Sequence, residues 1–157
     1  MPVSDKSRDR LLDLFAKIEA RLKRIPRYLH GDEGGRAEAN WQRFGSDFSE
    51  RIAPLVGGQS KEVLTTLPPK PEVVRDGKPS FDEDSPPLRG GRRPETLGMR
   101  LVEASCRVRN NTIHGGKQDP ALERYAGHDQ QVVDAAIEVM EVSLNLLVRP
   151  DGRPRPT

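Results

Sequence analysis

The chain has 157 residues, 34% hydrophobic and 32% charged, with a formal net charge of +2 and one cysteine. That length suits one domain with a real core, and a charge so close to balance argues against binding nucleic acid by bulk charge alone. Cys106 alone allows neither an intrachain disulfide nor a cysteine-rich zinc motif. The charged start, Asp5 to Arg10, is unlike a signal peptide. No window approaches the roughly 18 consecutive apolar residues of a membrane helix, so a cytosolic location is expected.

Ser4 is placed to cap a first helix, with Asp5 favouring its positive end. Leu11, Phe15, Ile18, Leu22, Ile25 and Leu29 follow at steps of four and three, the spacing of one apolar stripe. Pro26 lacks a backbone donor, so the helix kinks there or ends near Arg24. Gly31, Gly34 and Gly35 mark a turn. A second helix is predicted over 40–53, with Asn40 as cap and Trp41, Phe44, Phe48 and Ile52 as its core face, ended by Pro54 and Gly57-Gly58.

Residues 57–95 change character. Ser60 to Leu67 can make two helical turns, but Pro68-Pro69, Pro71, Pro79, Pro86-Pro87 and Pro94 follow, interleaved with glycines and charges. Such a composition buries too little apolar surface to offset chain ordering, and reads as a loop insertion. Its end, Arg89-Gly90-Gly91-Arg92-Arg93, can touch phosphates but reads first as a solvated linker.

Thr96 caps a third helix whose apolar side is Leu97, Leu101, Ala104, Cys106 and Val108, stopping by Gly115-Gly116. Asp119-Pro120 opens another helical stretch, and Val133, Ile137, Met140, Leu144 and Leu147 form a final stripe. The expectation is all-α: an antiparallel four-helix bundle over 1–149, no strands, the 57–95 loop between its second and third main helices, and a frayed tail at 150–157.

The densest chemistry lies in Arg109-Asn110-Asn111-Thr112-Ile113-His114-Gly115-Gly116-Lys117. Metal-free RNA cleavage needs a base for the 2′-hydroxyl, an acid for the leaving 5′-oxygen and a cation for the phosphorane. Histidine suits proton transfer because its pKa of about 6.5 lies near neutrality. Arginine stays charged and grips phosphate through a planar fork. Asn110 and Asn111 can orient the imidazole or the phosphate, and Lys117 can add a phosphate contact. On a continuous helix Arg109 and His114 diverge by about 140°, whereas Asn110 and His114 share a face. Either the helix loosens before His114 or a second subunit completes the site. The dimer is preferred, because one motif offers one imidazole for two proton transfers.

Arg109-Asn110-x-x-x-His114 resembles the R-x4-H signature of the HEPN superfamily, and Gly115-Gly116-Lys117 resembles its stand-alone bacterial members. The resemblance implies a four-helix bundle with the motif near the end of its third main helix, and a metal-independent endoribonuclease acting as a homodimer in toxin–antitoxin or antiviral defence. It implies catalytic roles for Arg109 and His114 and a supporting one for Asn110, with Asn111 and Lys117 as substrate contacts. RNA is the expected partner, with an antitoxin or regulatory protein beside it and no cofactor. HEPN toxins regulated by a nucleotidyltransferase often carry a tyrosine two residues after the histidine; Gly116 stands there, which puts that regulation in doubt.

Two other readings use the same residues. In one, a non-catalytic bundle of this type binds RNA, a nucleotide or a protein. In the other, His114 caps helix carbonyls and Arg109 sits in a surface ion pair. His30 and His128 read as turn residues; two histidines without placed carboxylates make no zinc site, and no phosphate-cradling P-loop is present.

Overall fold

Ser4 caps α1 (Asp5–Leu22) as expected, its Oγ accepting the Ser7 N–H at 3.1 Å. In this computed structural model, which describes residues 3–66, 72–81, 96–113 and 130–148, the other helices are α2 (Trp41–Leu55), α3 (Gly58–Thr66), α4 (Leu97–Ile113) and α5 (Gln130–Leu147). The fold is mostly helical. Asn40 caps α2 by accepting the Arg43 N–H at 3.0 Å. Pro54 lies in the last turn of α2, and the helix continues past it to Leu55.

The apolar stripes face inward. Leu11, Phe15, Ile18 and Leu22 of α1 are buried, as are Trp41, Phe44, Phe48 and Ile52 of α2 and Val133, Met140 and Leu147 of α5. Phe15, Tyr28, Trp41, Phe44 and Phe48 form one chain of ring contacts. Phe15 meets Trp41 at 5.1 Å, Phe44 meets Phe48 at 4.9 Å, and Tyr28 meets Phe44 edge-on at 6.0 Å. Leu29 leaves the α1 stripe: α1 ends at Leu22, a 3-10 turn spans Pro26–Tyr28, and Leu29 starts a strand and is exposed.

Strands were not expected, and two short antiparallel hairpins are present. β1 (Leu29–Gly31) pairs with β2 (Ala37–Ala39), putting His30 opposite Glu38. β3 (Glu72–Arg75) pairs with β4 (Lys78–Phe81) inside the interval read as loop. The second has a local cause. Asp76 and Gly77 both adopt positive φ, 54° and 73°, so Asp-Gly makes the two-residue turn whose twist suits a hairpin. Pro79 is tolerated because a two-stranded ribbon has only edge strands. The predicted helix start at Asp119-Pro120 and the tail lie outside the described residues, as do 82–95.

Packing sorts the helices into pairs, with the broadest contacts between α2 and α4 and between α1 and α5; α3 lies against α5 and α4. α2 and α4 run antiparallel, since Gly45 sits against Met99 and Val102 while Gly98 sits against Ser49. α1 and α5 run in the same sense: Gln130 bonds Ser4 and Ser7, and Glu141, farther along α5, pairs with Arg10, farther along α1. A strictly alternating bundle would oppose those two helices.

Candidate functional site

α4 carries the first part of the motif, Arg109 to Ile113, and the placement of that helix begins at its first turn. Ser49 of α2 accepts the Gly98 N–H at 3.0 Å and donates to Thr96 Oγ1 at 2.7 Å, so a neighbouring helix satisfies the start of α4. Along the helix Leu101, Val102, Ala104, Cys106 and Val108 are buried. The buried hydroxyls of Ser105 and Thr112 return to carbonyls of their own helix, Leu101 at 2.8 Å and Val108 at 2.7 Å, so neither is left unsatisfied.

Arg109 projects toward α1. Its Nη1 donates to Glu19 Oε1 at 2.6 Å, its Nε donates to Asn110 Oδ1 at 2.9 Å, and its guanidinium lies 4.7 Å from the centre of the Phe15 ring. The pair is partly sheltered, with side chains 20% and 28% exposed. Glu19 and Phe15 share a face of α1 because they are four residues apart. Among the described residues its hydrogen bonds run through Nε and Nη1. The arrangement is a cation fixed by three neighbours.

A second ion pair lies on the same helix. Arg107 Nη2 donates to Glu103 Oε1 at 3.0 Å, and its side chain is only 5% exposed. Between the two pairs Cys106 is fully buried; burial pushes its thiol up to about 12, the cations Arg109 and Arg107 opposing and Glu19 and Glu103 adding. Of this cluster, Glu19, Glu103 and Arg107 were not among the residues singled out from the sequence. Glu103 and Arg107 had a local signal, an opposite-charge pair at i, i+4. Glu19 had none, being 90 positions from Arg109.

Asn110 is half-buried and holds Arg109. Asn111, expected to meet substrate, is buried, so its amide lies inside the protein and is not presented to solvent. His114 and Lys117, and with them the Gly115-Gly116 pair, lie outside the described residues, as does His128. His30 is placed on β1, its Nε2 3.1 Å from Glu38 Oε2 across the hairpin.

No family model, curated protein or solved structure matches the chain. The chemistry must therefore be read from these residues. Among the described residues no cluster of three or more histidine, cysteine, aspartate or glutamate side chains is arranged to hold a metal ion, and no helix is long and apolar enough to cross a membrane. What the geometry offers is a phosphate-compatible cation beside an amide, at the end of a helix whose next residue in sequence is His114.

Proposed function

We propose that the chain is a HEPN-like, metal-independent endoribonuclease that acts on RNA in the cytoplasm as a toxin or defence effector. The observation that carries this reading is Arg109: a guanidinium anchored by Asn110, Glu19 and Phe15 at the end of the described part of α4. The four long helices α1, α2, α4 and α5 are read as the bundle of that superfamily, with the motif at the end of its third member.

In this mechanism Arg109 stabilises charge on the phosphorane, an effect on the order of 100- to 1,000-fold for one preorganised donor. His114 accepts the proton of the 2′-hydroxyl, whose oxygen attacks phosphorus. The bond to the 5′-oxygen breaks, and His114 of a second copy gives that oxygen its proton. The products are a 2′,3′-cyclic phosphate and a 5′-hydroxyl. A neutral base and a protonated acid are needed together, which a pair of histidines near pH 7 supplies. Asn110 keeps the guanidinium aimed, and Lys117 adds a phosphate contact.

The test is induced expression of the parent chain and of His114→Ala and Arg109→Gln, with total RNA examined for new ends. Cuts ending in cyclic phosphate with the parent alone are the expected result. Equal cutting by folded His114→Ala protein would overturn the reading. One observation favours a non-catalytic bundle that only binds: Glu19 already neutralises Arg109. A parent protein that binds RNA and leaves it intact would support that alternative.

A further inference from the structure

The contact between Glu19 and Arg109 has two physical readings with opposite consequences. A carboxylate can position a catalytic guanidinium, or it can occupy the place where a substrate anion belongs. The donor inventory separates them. A guanidinium has five N–H donors, and its strongest grip on a phosphate is two parallel bonds along one edge. Asn110 already takes Nε and Phe15 covers one face, so those two contacts alone restrict the side chain. Glu19 takes Nη1 at 2.6 Å, with a carboxylate oxygen. It supplies an anion of the same charge and bonding type as a phosphodiester oxygen, and Asn110 and Phe15 are contacts that do not depend on it.

Taking the nuclease reading as its basis, we propose that Glu19 is a built-in competitor for the phosphodiester. In the free protein its carboxylate fills the anion position on Arg109, and an incoming phosphate displaces it to obtain a two-point grip through Nη1 and Nη2. The exposure of the pair, 20% and 28%, allows the exchange, because the released carboxylate has water to enter. The ion pair thereby lowers affinity for stray phosphates and admits only ligands with enough further contacts. This accords with a chain of net charge +2, which lacks bulk attraction for RNA. Removing the carboxylate charge should raise affinity by the value of a partly exposed ion pair, on the order of fivefold.

Binding of a 2′-O-methyl RNA oligonucleotide, whose blocked 2′-oxygen cannot attack, measures this without turnover. The parent, Glu19→Gln, Arg109→Gln and the double variant are compared at one salt concentration, with thermal unfolding checked for each. Glu19→Gln is expected to bind several-fold more tightly, and that gain is expected to vanish when Arg109 is also replaced. Weaker or unchanged binding by folded Glu19→Gln, with Arg109→Gln still impaired, would overturn the competitor and leave the nuclease reading standing. A gain that persists without Arg109 would also overturn it, as general charge removal. If Arg109→Gln binds like the parent, or the parent does not bind, the underlying reading of the site fails instead.

Discussion

Gly98 of α4 lies directly against the backbone of Ser49 of α2. A Cβ at position 98 would stand 2.7 Å from the Ser49 carbonyl oxygen, closer than real side chains approach. The same serine satisfies the start of α4 through the Gly98 N–H. This contact sets how near the motif-bearing helix comes to its main neighbour. Gly98→Ala should therefore force α2 and α4 apart and cost about 1–3 kcal/mol, the range for overpacking. Denaturant unfolding measures it; a variant as stable as the parent would mean the crossing is loose.

A second helix start is held from a distance. Glu138 of α5 accepts the Gly57 N–H at 3.0 Å and also accepts the Ser60 hydroxyl, placing a carboxylate at the positive end of α3. Glu138→Ala removes that cap, and the expected loss is roughly 1 kcal/mol. Amide hydrogen exchange should speed up over 58–66 and leave α2 and α4 protected. Unchanged exchange in α3 would show that its packing through Leu64 suffices.

Asp47 joins the 3-10 turn to α2. It accepts two bonds from Arg27, the one from Nη2 at 2.9 Å, and one from the Tyr28 hydroxyl at 2.7 Å. Hydrogen bonding by Arg27 holds the Asp47 carboxyl below its usual range, with Tyr28 adding and burial opposing. Burial, with the hydrogen bond to Asp47 next, pushes the Tyr28 phenol from 10.0 up to about 12. The signs differ. The Asp47 contribution is complete above its unfolded value, near 3.9, and is lost as pH falls toward the lower folded value. The Tyr28 contribution is complete below pH 10.0 and is lost as pH rises toward about 12. Thermal melts across pH should thus fall off at both ends, and Tyr28→Phe should flatten the alkaline arm. An alkaline arm unchanged in Tyr28→Phe would assign it to other groups.

Cys106 is buried and burial pushes its thiol up to about 12, so the reactive thiolate is scarce and shielded. A thiol reagent should label the native protein far more slowly than the denatured chain. Fast labelling under native conditions would show that the end of α4 opens readily.

The caps and stripes could be read directly from the sequence. Ser4 and Asn40 start helices, and Leu11, Phe15, Ile18 and Leu22 face the core, because a period of 3.6 and an orphan N–H are properties of the nearest few residues. The bond between Arg109 and its chain neighbour Asn110 is equally local. The β3–β4 hairpin had a local signal in Asp76-Gly77, which the surrounding prolines obscured.

What only the tertiary structure decided is the pairing. Periodicity names the apolar side of a helix and says nothing of which helix will meet it, so the shared sense of α1 and α5 could not be foreseen. Nor could the contact of Glu19 with Arg109, or the burial of Arg107 and Asn111 on a helix enclosed by its neighbours. A helix face is written within about four residues of chain. A contact between faces is settled by how all the helices share one core, which no short window contains.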